Sequence, residues 1–216
     1  MKIANGNFLV IEGNIGAGKT ALCQMLATDF NSSLILEEFS DNPFLPLFYK
    51  EPDRYAFPVE LFFMTERHKQ LQKMLLERDL FSEYVVADYI FSKTLLFARE
   101  NLKGEEFRLF QRLYDTLDSN FPKPDLILYL HRDVKQLRTN ILKRNRPYEL
   151  QISDAYLEGI QSAYFNFFRT SRQIPIVVLN LGDIDFINNK NAYLFIRDLL
   201  QTKFKPGLHT IQISGL

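Results

Sequence analysis

The sequence has no net charge, no tryptophan and only one cysteine. The zero net charge and the single cysteine limit the classes of partner and the compartment that the protein is expected to have. Lysine and arginine together number 26, and so do aspartate and glutamate. A chain without net charge has no overall field that holds a polyanion such as DNA or presses the protein onto an acidic membrane. We therefore expect no nucleic-acid partner and no membrane partner, and any anion must bind at a local site.

The single cysteine, Cys23, cannot form an intramolecular disulfide, which fits a reducing compartment. The N-terminal residues MKIANGN lack the apolar run of a secretory signal, and no apolar segment approaches the ~18 residues of a membrane helix. A cytoplasmic protein is expected. With 216 residues, of which 46% are hydrophobic, the chain is long enough to bury a core as a single domain over 1–216.

The stretch with the strongest chemical signal is FLVIEGNIGAGKT, residues 8–20. A short apolar strand runs into a segment that matches GxxxxGK[ST], the phosphate-binding loop, at every fixed position. Glycines without a Cβ let successive backbone N–H groups wrap a phosphate chain. Lys19 then reaches the β- and γ-phosphates, and the Thr20 hydroxyl is placed to ligate Mg²⁺. The predicted phosphate-binding residues are Gly13, Asn14, Ile15, Gly16, Ala17, Gly18, Lys19 and Thr20. A glycine-rich turn with a chance lysine is the alternative.

Short apolar strands alternate with longer helical segments along the rest of the chain. Further strands are predicted at SLIL, EYVVAD, DLILYLH and PIVVLN, residues 33–36, 83–88, 125–131 and 175–180. Helices are predicted at about 55–80, after 88, and at 104–120, 134–143, 154–172 and 188–200, with Pro58 acceptable only in a first turn. This alternation predicts an α/β fold, a parallel five-stranded sheet flanked by helices, with polar groups gathered at one edge. Residues 203–216 form a tail that we leave unassigned.

The phosphate loop alone does not distinguish a GTPase, an ATPase motor and a small-molecule kinase. A GTPase requires a guanine-reading NKxD segment, and the sequence NKNA at 189–192 does not match it. Further motifs are an acid after the second strand, DNPFLPLFY, YAFPVELFFMTER, an acid after the third strand, and KRNRPYE. Together, at these spacings, they resemble the deoxyribonucleoside kinase family over nearly the whole chain. The resemblance implies a P-loop kinase fold with a short arginine-bearing lid at about 144–152, ATP as phosphate donor, Mg²⁺, a small-molecule deoxynucleoside acceptor and a homodimer.

Two acids follow predicted strands that end near the phosphate loop. Glu37 lies where the family has its catalytic acid, and a carboxylate there is able to take the proton of a 5′-hydroxyl as it attacks the γ-phosphorus. Glu38 is the rival, and because side chains alternate along a strand only one of the two faces the loop. Asp88 lies where the family has an acid that works with the metal and the phosphates; the alternative is a helix N-cap. The family commonly continues with Arg-Ser, whereas Tyr89 and Ile90 follow here, which leaves one phosphate or 5′-oxygen contact unassigned.

Glu60 and Arg67 are seven residues apart, which places them on one face of a helix. A surface ion pair is the alternative, but the resemblance assigns this face to nucleobase recognition, where glutamine is the commoner residue at position 60. A carboxylate only accepts hydrogen bonds, and guanine offers two adjacent donors, N1–H and the N2 amino group, while its O6 and N7 accept from arginine. Deoxyguanosine is therefore the predicted acceptor, in keeping with a resemblance to bacterial deoxyguanosine kinases. A deoxyadenosine or broad-specificity kinase is the runner-up, because the family's base-holding aspartate is replaced in the region of Lys93 and Thr94.

The remaining predicted site residues come from the resemblance. Tyr49 and Glu149 match positions that hold the sugar 3′-hydroxyl, although Tyr49 could be a core residue and Glu149 an ordinary lid acid. Arg144 and Arg146 could close over the transferring phosphoryl group and neutralise its oxygens; a solvated basic turn is the alternative.

The chain after the last predicted strand contributes to the donor site in this interpretation. Asp185 and Phe186 resemble the loop that holds the adenine of ATP. The sequence thus predicts a kinase that transfers the γ-phosphate of ATP to the 5′-hydroxyl of a purine deoxyribonucleoside. A regulatory P-loop ATPase, which hydrolyses ATP without an acceptor, is the alternative from another class.

Overall fold

The structure is a computed structural model that describes residues 2–37, 42–76, 82–118 and 121–213. Its centre is a parallel sheet of six strands in the order β2-β3-β1-β4-β5-β6. The strands are β1 (Phe8–Gly13), β2 (Ser32–Ile35), β3 (Tyr84–Ala87), β4 (Leu126–His131), β5 (Pro175–Asn180) and β6 (Gly207–Gln212). The helices are α1 (Lys19–Phe30), α2 (Leu45–Phe48), α3 (Pro52–Leu76), α4 (Lys93–Asn101), α5 (Gly104–Asp118), α6 (Val134–Arg144), α7 (Asp154–Thr170) and α8 (Lys190–Leu199).

Strand β1 lies in the middle of the sheet, with β3 on one side and β4 on the other. The chain order reverses its direction across the sheet at this point. In open parallel sheets ligands bind beyond the carboxyl ends of the strands at such a switch. The phosphate loop leaves β1 there, so the topology places it at the preferred binding position of the fold.

The sheet is buried on both faces by two apolar clusters. Along β1, Leu9 and Ile11 face a cluster formed with α1, α6 and α8, whereas Val10 faces a cluster formed with α3, α4, α5 and α7. Strands β4 and β5 are buried along almost their whole length, which is why their sequences are continuously apolar rather than alternating. Cys23 lies in the first cluster as a buried free thiol.

Two sequence-based expectations need correction. The sheet has six strands rather than five, because β6 pairs in parallel with β5. The unassigned tail supplies that strand. Helix α3 begins at Pro52 rather than Tyr55, so Pro58 lies inside the helix, where it removes one backbone donor, and not in its first turn. Within the described ranges, every helix is too short or too polar to span a membrane.

Candidate active site

The phosphate loop has the backbone shape that only glycine allows. Gly16 and Gly18 have φ angles of 83° and 98°, in the left-handed region. A Cβ at Gly16 would lie 2.8 Å from the carbonyl oxygen of Leu137, and one at Gly18 would lie 3.0 Å from the ring of Phe186. The loop is therefore fixed by its contacts with α6 and with the segment after β5, and it delivers the chain to the N-terminus of α1, where an anion is favoured.

Side chains around the loop hold it in place. Asn14 donates from Nδ2 to the carbonyl oxygen of Leu157 at 2.7 Å, and Asn140 donates to the carbonyl oxygen of Gly16 at 2.8 Å. Ala17 is buried against the loop, and its N–H donates to the carbonyl oxygen of Asn14 at 3.1 Å. Ile15 lines the neighbouring cavity. These bonds preorganise the cradle before any phosphate binds.

Lys19 bends back over the loop. Its Nζ donates to the carbonyl oxygens of Gly13 at 2.9 Å and of Asn14 at 3.1 Å. Burial and the nearby charge of Lys93 lower the pKa of Lys19 to about 8. A phosphate group would replace these carbonyl contacts and neutralise the buried charge.

Thr20 and Asp88 lie together at the start of α1. The Thr20 hydroxyl donates to Asp88 Oδ2 at 2.7 Å, and the backbone N–H of Glu37 donates to Asp88 Oδ1 at 2.7 Å. The alternative for Asp88, a helix N-cap, is wrong, because α4 begins at Lys93 and its N-cap residue is Ser92. In the described part of the chain no cluster of three or more His, Cys, Asp or Glu side chains offers a metal site. One hydroxyl and one carboxylate fit Mg²⁺, which takes oxygen ligands and commonly completes its shell with phosphate and water.

Glu37 is held by cations on both oxygens. Arg67 donates to Oε1 from Nε at 2.8 Å and from Nη2 at 2.5 Å, and Lys93 Nζ donates to Oε2 at 2.6 Å. Burial raises the pKa of Glu37, but the charges of Arg67 and Lys93 outweigh this effect and hold the pKa below its ordinary value. Glu37 is therefore a carboxylate at neutral pH. Its rival Glu38 lies outside the described residues.

Glu60 and Arg67 share one face of α3 but do not form the surface ion pair that was the alternative. Both are buried, with 2% and 3% of their surface exposed. Arg67 pairs with Glu37 and also donates from Nη1 to the Thr94 hydroxyl at 2.8 Å. Glu60 Oε1 accepts from Asn101 Nδ2 at 2.6 Å, whereas its Oε2, within the part of the chain that the structure describes, has no hydrogen-bond partner. Burial raises the pKa of Glu60 to about 7.

The residues of the predicted lid form one cluster around Glu149. Arg144 donates to Glu149 Oε2 from Nε at 2.9 Å, and Arg146 donates from Nη1 to Oε1 at 3.2 Å. Glu149 is 5% exposed and opens a short 3₁₀ turn, Glu149–Gln151, between α6 and α7. The ring of Tyr49 stacks on Tyr148 with centroids 6.5 Å apart. The lid is thus tied to the wall of the cavity that Tyr49 lines.

The segment after β5 forms the wall of a second cleft. The Asp185 carboxylate accepts from the backbone N–H groups of Ile187 and Asn188, and the hydrogen bonds from Asn188 lower its pKa. Phe186 is buried beside Gly18. Arg132, at the end of β4, donates to the carbonyl oxygens of Gly182 at 2.9 Å and Ile184 at 2.6 Å, and so fixes the shape of this segment.

The two clefts meet at the phosphate loop. One is an open cavity with Glu60, Arg67, Tyr49 and Glu149 in its wall. The other is larger and has Asp185 and Phe186 in its wall. The residues that line both are Gly16, Lys19, Thr20, Glu37, Arg144 and Arg146. Every charged group predicted to act on phosphate therefore lies at or beside this junction, since Asp88 bonds directly to Thr20.

Sequence reasoning missed several residues of this site. Lys93 and Thr94 were treated only as replacements for an aspartate, and Asn101, Tyr156 and Arg132 were not singled out. Arg132 could have been found from its position, because it directly follows the apolar strand that ends at His131. Asn101 carries no such signal, because its hydrogen bonds to Glu60 and to the hydroxyl of Tyr156 join three separate helices.

A phosphate loop at the switch point of a parallel sheet, with two arginines at the junction of two clefts, is typical of a P-loop kinase fold. The model of the deoxynucleoside kinase family matches residues 9–203, and the chain belongs to that family. It is 33% identical to the deoxyguanosine kinase of Bacillus subtilis over 190 residues, which cover 86% of this chain and 92% of the relative. It is 29% identical to the deoxyadenosine/deoxycytidine kinase of the same organism over 197 residues, covering 88% and 89%. The solved structure of deoxyadenosine kinase from M. mycoides with bound dATP superposes with a TM-score of 0.78 at 21% identity, covering 90% of this chain and 100% of that chain.

Proposed function

We propose that this protein transfers the γ-phosphate of ATP to the 5′-hydroxyl of a purine deoxyribonucleoside, with deoxyguanosine as the preferred acceptor. The observation that carries the proposal is the junction of the two clefts. ATP occupies the larger cleft with its adenine near Phe186 and its phosphates on the loop, and the acceptor occupies the smaller cleft. The 5′-hydroxyl then meets the γ-phosphate between Lys19 and Glu37.

The charged groups at the junction suit phosphoryl transfer. The transition state is loose, with charge on the oxygens of the transferred group, so positioning and charge neutralisation dominate. Lys19, Arg144 and Arg146 supply positive charge, and the backbone of the phosphate loop supplies N–H donors. Mg²⁺, when held at Thr20 and Asp88, neutralises phosphate charge. Water is kept out as the lid arginines close over the junction.

Glu37 orients the acceptor in this proposal. Its low pKa makes it a weak base, but in a loose transition state the proton leaves the hydroxyl late, when the bond to phosphorus has largely formed. The carboxylate therefore aligns the 5′-hydroxyl early and receives its proton at the end. Glu149 and Tyr49 hold the sugar 3′-hydroxyl beside the lid, and burial raises the pKa of the Tyr49 phenol so that it stays a neutral donor.

The preference for guanine rests on Glu60 and Arg67. The unpaired Oε2 of Glu60 is an acceptor for the N1–H and N2 donors of guanine. Arg67 has five N–H groups. Within the described ranges two are used on Glu37 and one on Thr94, which leaves two for O6 and N7. Adenine and cytosine present an acceptor beside their amino group, which would face the carboxylate lone pair to lone pair.

A deoxyadenosine or broad-specificity kinase is the second candidate, because relatives carrying those names match this chain at similar identity. The deoxyadenosine kinase of Dictyostelium discoideum is 30% identical over 185 residues, against 33% for the Bacillus subtilis deoxyguanosine kinase. The deciding residue is Glu60, since a buried carboxyl with a pKa of about 7 is able to present either an acceptor or an O–H donor.

A substrate panel tests the base preference. The four deoxynucleosides are compared at one pH near 8, where Glu60 is a carboxylate, by their kcat/KM with saturating ATP. We expect deoxyguanosine to exceed deoxyadenosine and deoxycytidine by roughly 100-fold, the discrimination of a site whose buried polar groups are left unpaired by the wrong base. A higher kcat/KM for deoxyadenosine or deoxycytidine would contradict the assignment of Glu60 and leave the kinase activity itself intact.

A further inference from the structure

Lys93 is buried where local preferences disfavour a lysine. It is 4% exposed and is the first residue of α4, so its ammonium group lies near the positive end of a helix dipole. It also lies close enough to Lys19 for the two charges to repel, and this repulsion contributes to the low pKa of Lys19. A residue that violates several local rules without a packing reason is expected at a functional site.

The buried charge of Lys93 is stabilised mainly by the carboxylate of Glu37. Lys93 Nζ donates to Glu37 Oε2 at 2.6 Å, and the ammonium lies 5.7 Å from the ring centroid of Phe97. Lys93 lines the acceptor cavity together with Glu37 and Lys19. The side chain therefore reaches the reaction centre from α4, an element that supplies no residue predicted from the sequence to act on phosphate.

Position 89 does not supply a cation to this place. Tyr89 is fully buried, and its hydroxyl donates to Gln70 Oε1 at 2.8 Å. Its ring lines a separate cavity, among residues such as Phe91 and Tyr114, away from the phosphate loop. The buried cation that reaches Glu37 Oε2 therefore comes from Lys93 on α4 and not from position 89.

The division of hydrogen bonds on Glu37 gives Lys93 a specific task. The two hydrogen bonds from Arg67 to Glu37 both end on Oε1, and the one from Lys93 ends on Oε2. A carboxylate has about four lone-pair positions, so one on Oε2 is left for the acceptor hydroxyl. Of the two oxygens of Glu37, Arg67 bonds only to Oε1, and among the described residues Lys93 is the group that bonds to Oε2, so the direction of that last lone pair depends on Lys93.

We propose that Lys93 is a positioning residue for phosphoryl transfer, which holds Oε2 of Glu37 so that its remaining lone pair faces the 5′-hydroxyl of the acceptor. The inference rests on the proposed function, because it takes Glu37 to be the acid that orients the hydroxyl. Lys93 acts through Glu37 and not by binding the nucleobase or the ATP. Its loss is therefore expected to change kcat and to leave the KM values nearly unchanged.

The variants Lys93→Met, Lys93→Arg and Lys103→Met test this assignment. We expect K93M to lower kcat about 100-fold, the cost of a misplaced reacting group, with KM for ATP and for deoxyguanosine within about threefold of wild type. K93R keeps the charge and is expected to recover at least about tenfold of that loss. K103M makes the same chemical change at the exposed Lys103 beyond the end of α4 and is expected to match wild type.

A second comparison shows whether Lys93 acts through Glu37 and stands even if K93M does not fold. Replacing both Glu37 and Lys93 removes one negative and one positive charge, so the net charge of the buried cluster that also contains Arg67 is unchanged, and E37Q/K93M is compared with E37Q alone. We expect these two kcat values to agree within about threefold, as for residues that act as one unit. Three results would each overturn the role of Lys93. They are a kcat of K93M equal to that of wild type, an effect of K93M on KM alone, and a kcat of E37Q/K93M about 100-fold below that of E37Q. Failure of the wild-type protein to phosphorylate any deoxynucleoside would instead overturn the proposed function.

Discussion

Only one of the two carboxylate oxygens of Glu60 has a hydrogen-bond partner among the described residues, and the proposed base-reading role rests on this difference. Oε1 accepts from Asn101, while Oε2 is without a partner in the described part of the chain, and Glu60 lines the acceptor cavity. Replacing Glu60 with Gln puts an amide in this place, which has an N–H₂ donor beside its acceptor and so matches adenine as well as guanine. We expect E60Q to lower the kcat/KM ratio of deoxyguanosine to deoxyadenosine by at least about tenfold.

The matched control for E60Q is Glu66→Gln on the same helix. Glu66 pairs with Lys69 at the protein surface, so its neutralisation should leave the ratio unchanged. Thermal unfolding of both variants separates base reading from stability. An equal loss of activity on all deoxynucleosides in E60Q would argue against base reading by Glu60.

The raised pKa of Glu60 also makes the base preference depend on pH. Below its pKa of about 7 the carboxyl group is protonated and would offer an O–H donor to N1 of adenine; above this pH the carboxylate would accept from guanine. The groups that act on this carboxyl are Asn101 and the charges of Arg67, Glu37 and Lys93. We expect the kcat/KM ratio of deoxyguanosine to deoxyadenosine to rise between about pH 6 and about pH 8, by up to tenfold per pH unit.

The same measurement on E60Q is the control, because an amide does not titrate in this range. Its ratio should be flat with pH. The same raised pKa affects the free energy of unfolding. Because the pKa of Glu60 is higher in the folded than in the unfolded chain, the group stabilises the fold at low pH, and this contribution is lost as pH rises from 4.5 to about 7. An ion-paired carboxylate has the opposite dependence on pH. A wild-type ratio that stays constant across the range would contradict the account of Glu60.

At the scale of elements, the proposed lid would join sugar binding to phosphate binding. Glu149 holds Arg144 and Arg146, and its 3₁₀ turn lies between α6 and α7. If Glu149 also holds the 3′-hydroxyl, then Glu149→Gln should cost more with deoxyguanosine than with 2′,3′-dideoxyguanosine, which lacks that hydroxyl. We expect the difference to be about tenfold in kcat/KM, the value of a hydrogen bond to a charged group.

The variant Glu158→Gln serves as the control for the lid, because Glu158 is exposed on α7. Its two substrates should be affected equally. An equal loss with both substrates in E149Q would restrict Glu149 to holding the arginines and remove its role at the sugar.

The strand β6 completes the edge of the sheet. It pairs with β5 from Gly207 to Gln212, and alternate residues of β6 are partly buried. A chain that ends at residue 206 would leave the N–H and C=O groups on one side of β5 without partners. We expect a loss of a few kcal/mol in the free energy of unfolding, at about 1 kcal/mol per hydrogen bond, measured by urea denaturation. A chain that ends at Ile213 keeps β6 and is the control; equal midpoints for the two chains would contradict this role.

The sequence predicted the elements that are locally marked. Strands β4 and β5 are continuous apolar runs, and the phosphate loop has fixed spacing, so both were predicted close to their observed bounds. The sequence GLHTIQ of β6 has only two large apolar residues, Leu208 and Ile211, which do not alternate with polar ones. It follows Pro206 and becomes a strand only because β5 offers an edge. Pro58 was misplaced because packing of a long helix outweighs the cost of one lost donor.

The site was predicted in outline, and its internal pairing was not. Glu37, Thr20 and Lys19 lie at the junction as expected, because carboxyl ends of parallel strands meet at one edge of the sheet. The sequence indicates only that Arg67 shares a helix face with Glu60. In the structure Arg67 forms its ion pair with Glu37, just after β2. Lys93 and Asn101 lie on α4, and only the tertiary packing of α4 against α3 and α7 brings them to the cavity. Local pattern therefore identified the phosphate side, whereas the acceptor side depended on helix packing.

At the scale of the whole molecule, the neutral chain concentrates its charges where two clefts meet. Net charge is zero, yet Lys19, Lys93, Arg67, Arg144 and Arg146 all line the acceptor cavity beside Glu37 and Asp88. Such a site is suited to bring a phosphate donor and a hydroxyl acceptor together, and it wastes ATP if water replaces the acceptor. The fate of the γ-phosphate therefore separates a kinase from a regulatory ATPase.

The most direct test of the account follows γ-labelled ATP in the presence of deoxyguanosine and without any nucleoside. We expect the label to appear in 5′-dGMP when deoxyguanosine is present, at a rate at least about 100-fold above its release as inorganic phosphate, because the acceptor completes the aligned reaction centre. Release of the label as inorganic phosphate at the same rate with and without each of the four deoxynucleosides would contradict the assignment of this site to phosphoryl transfer onto a deoxynucleoside.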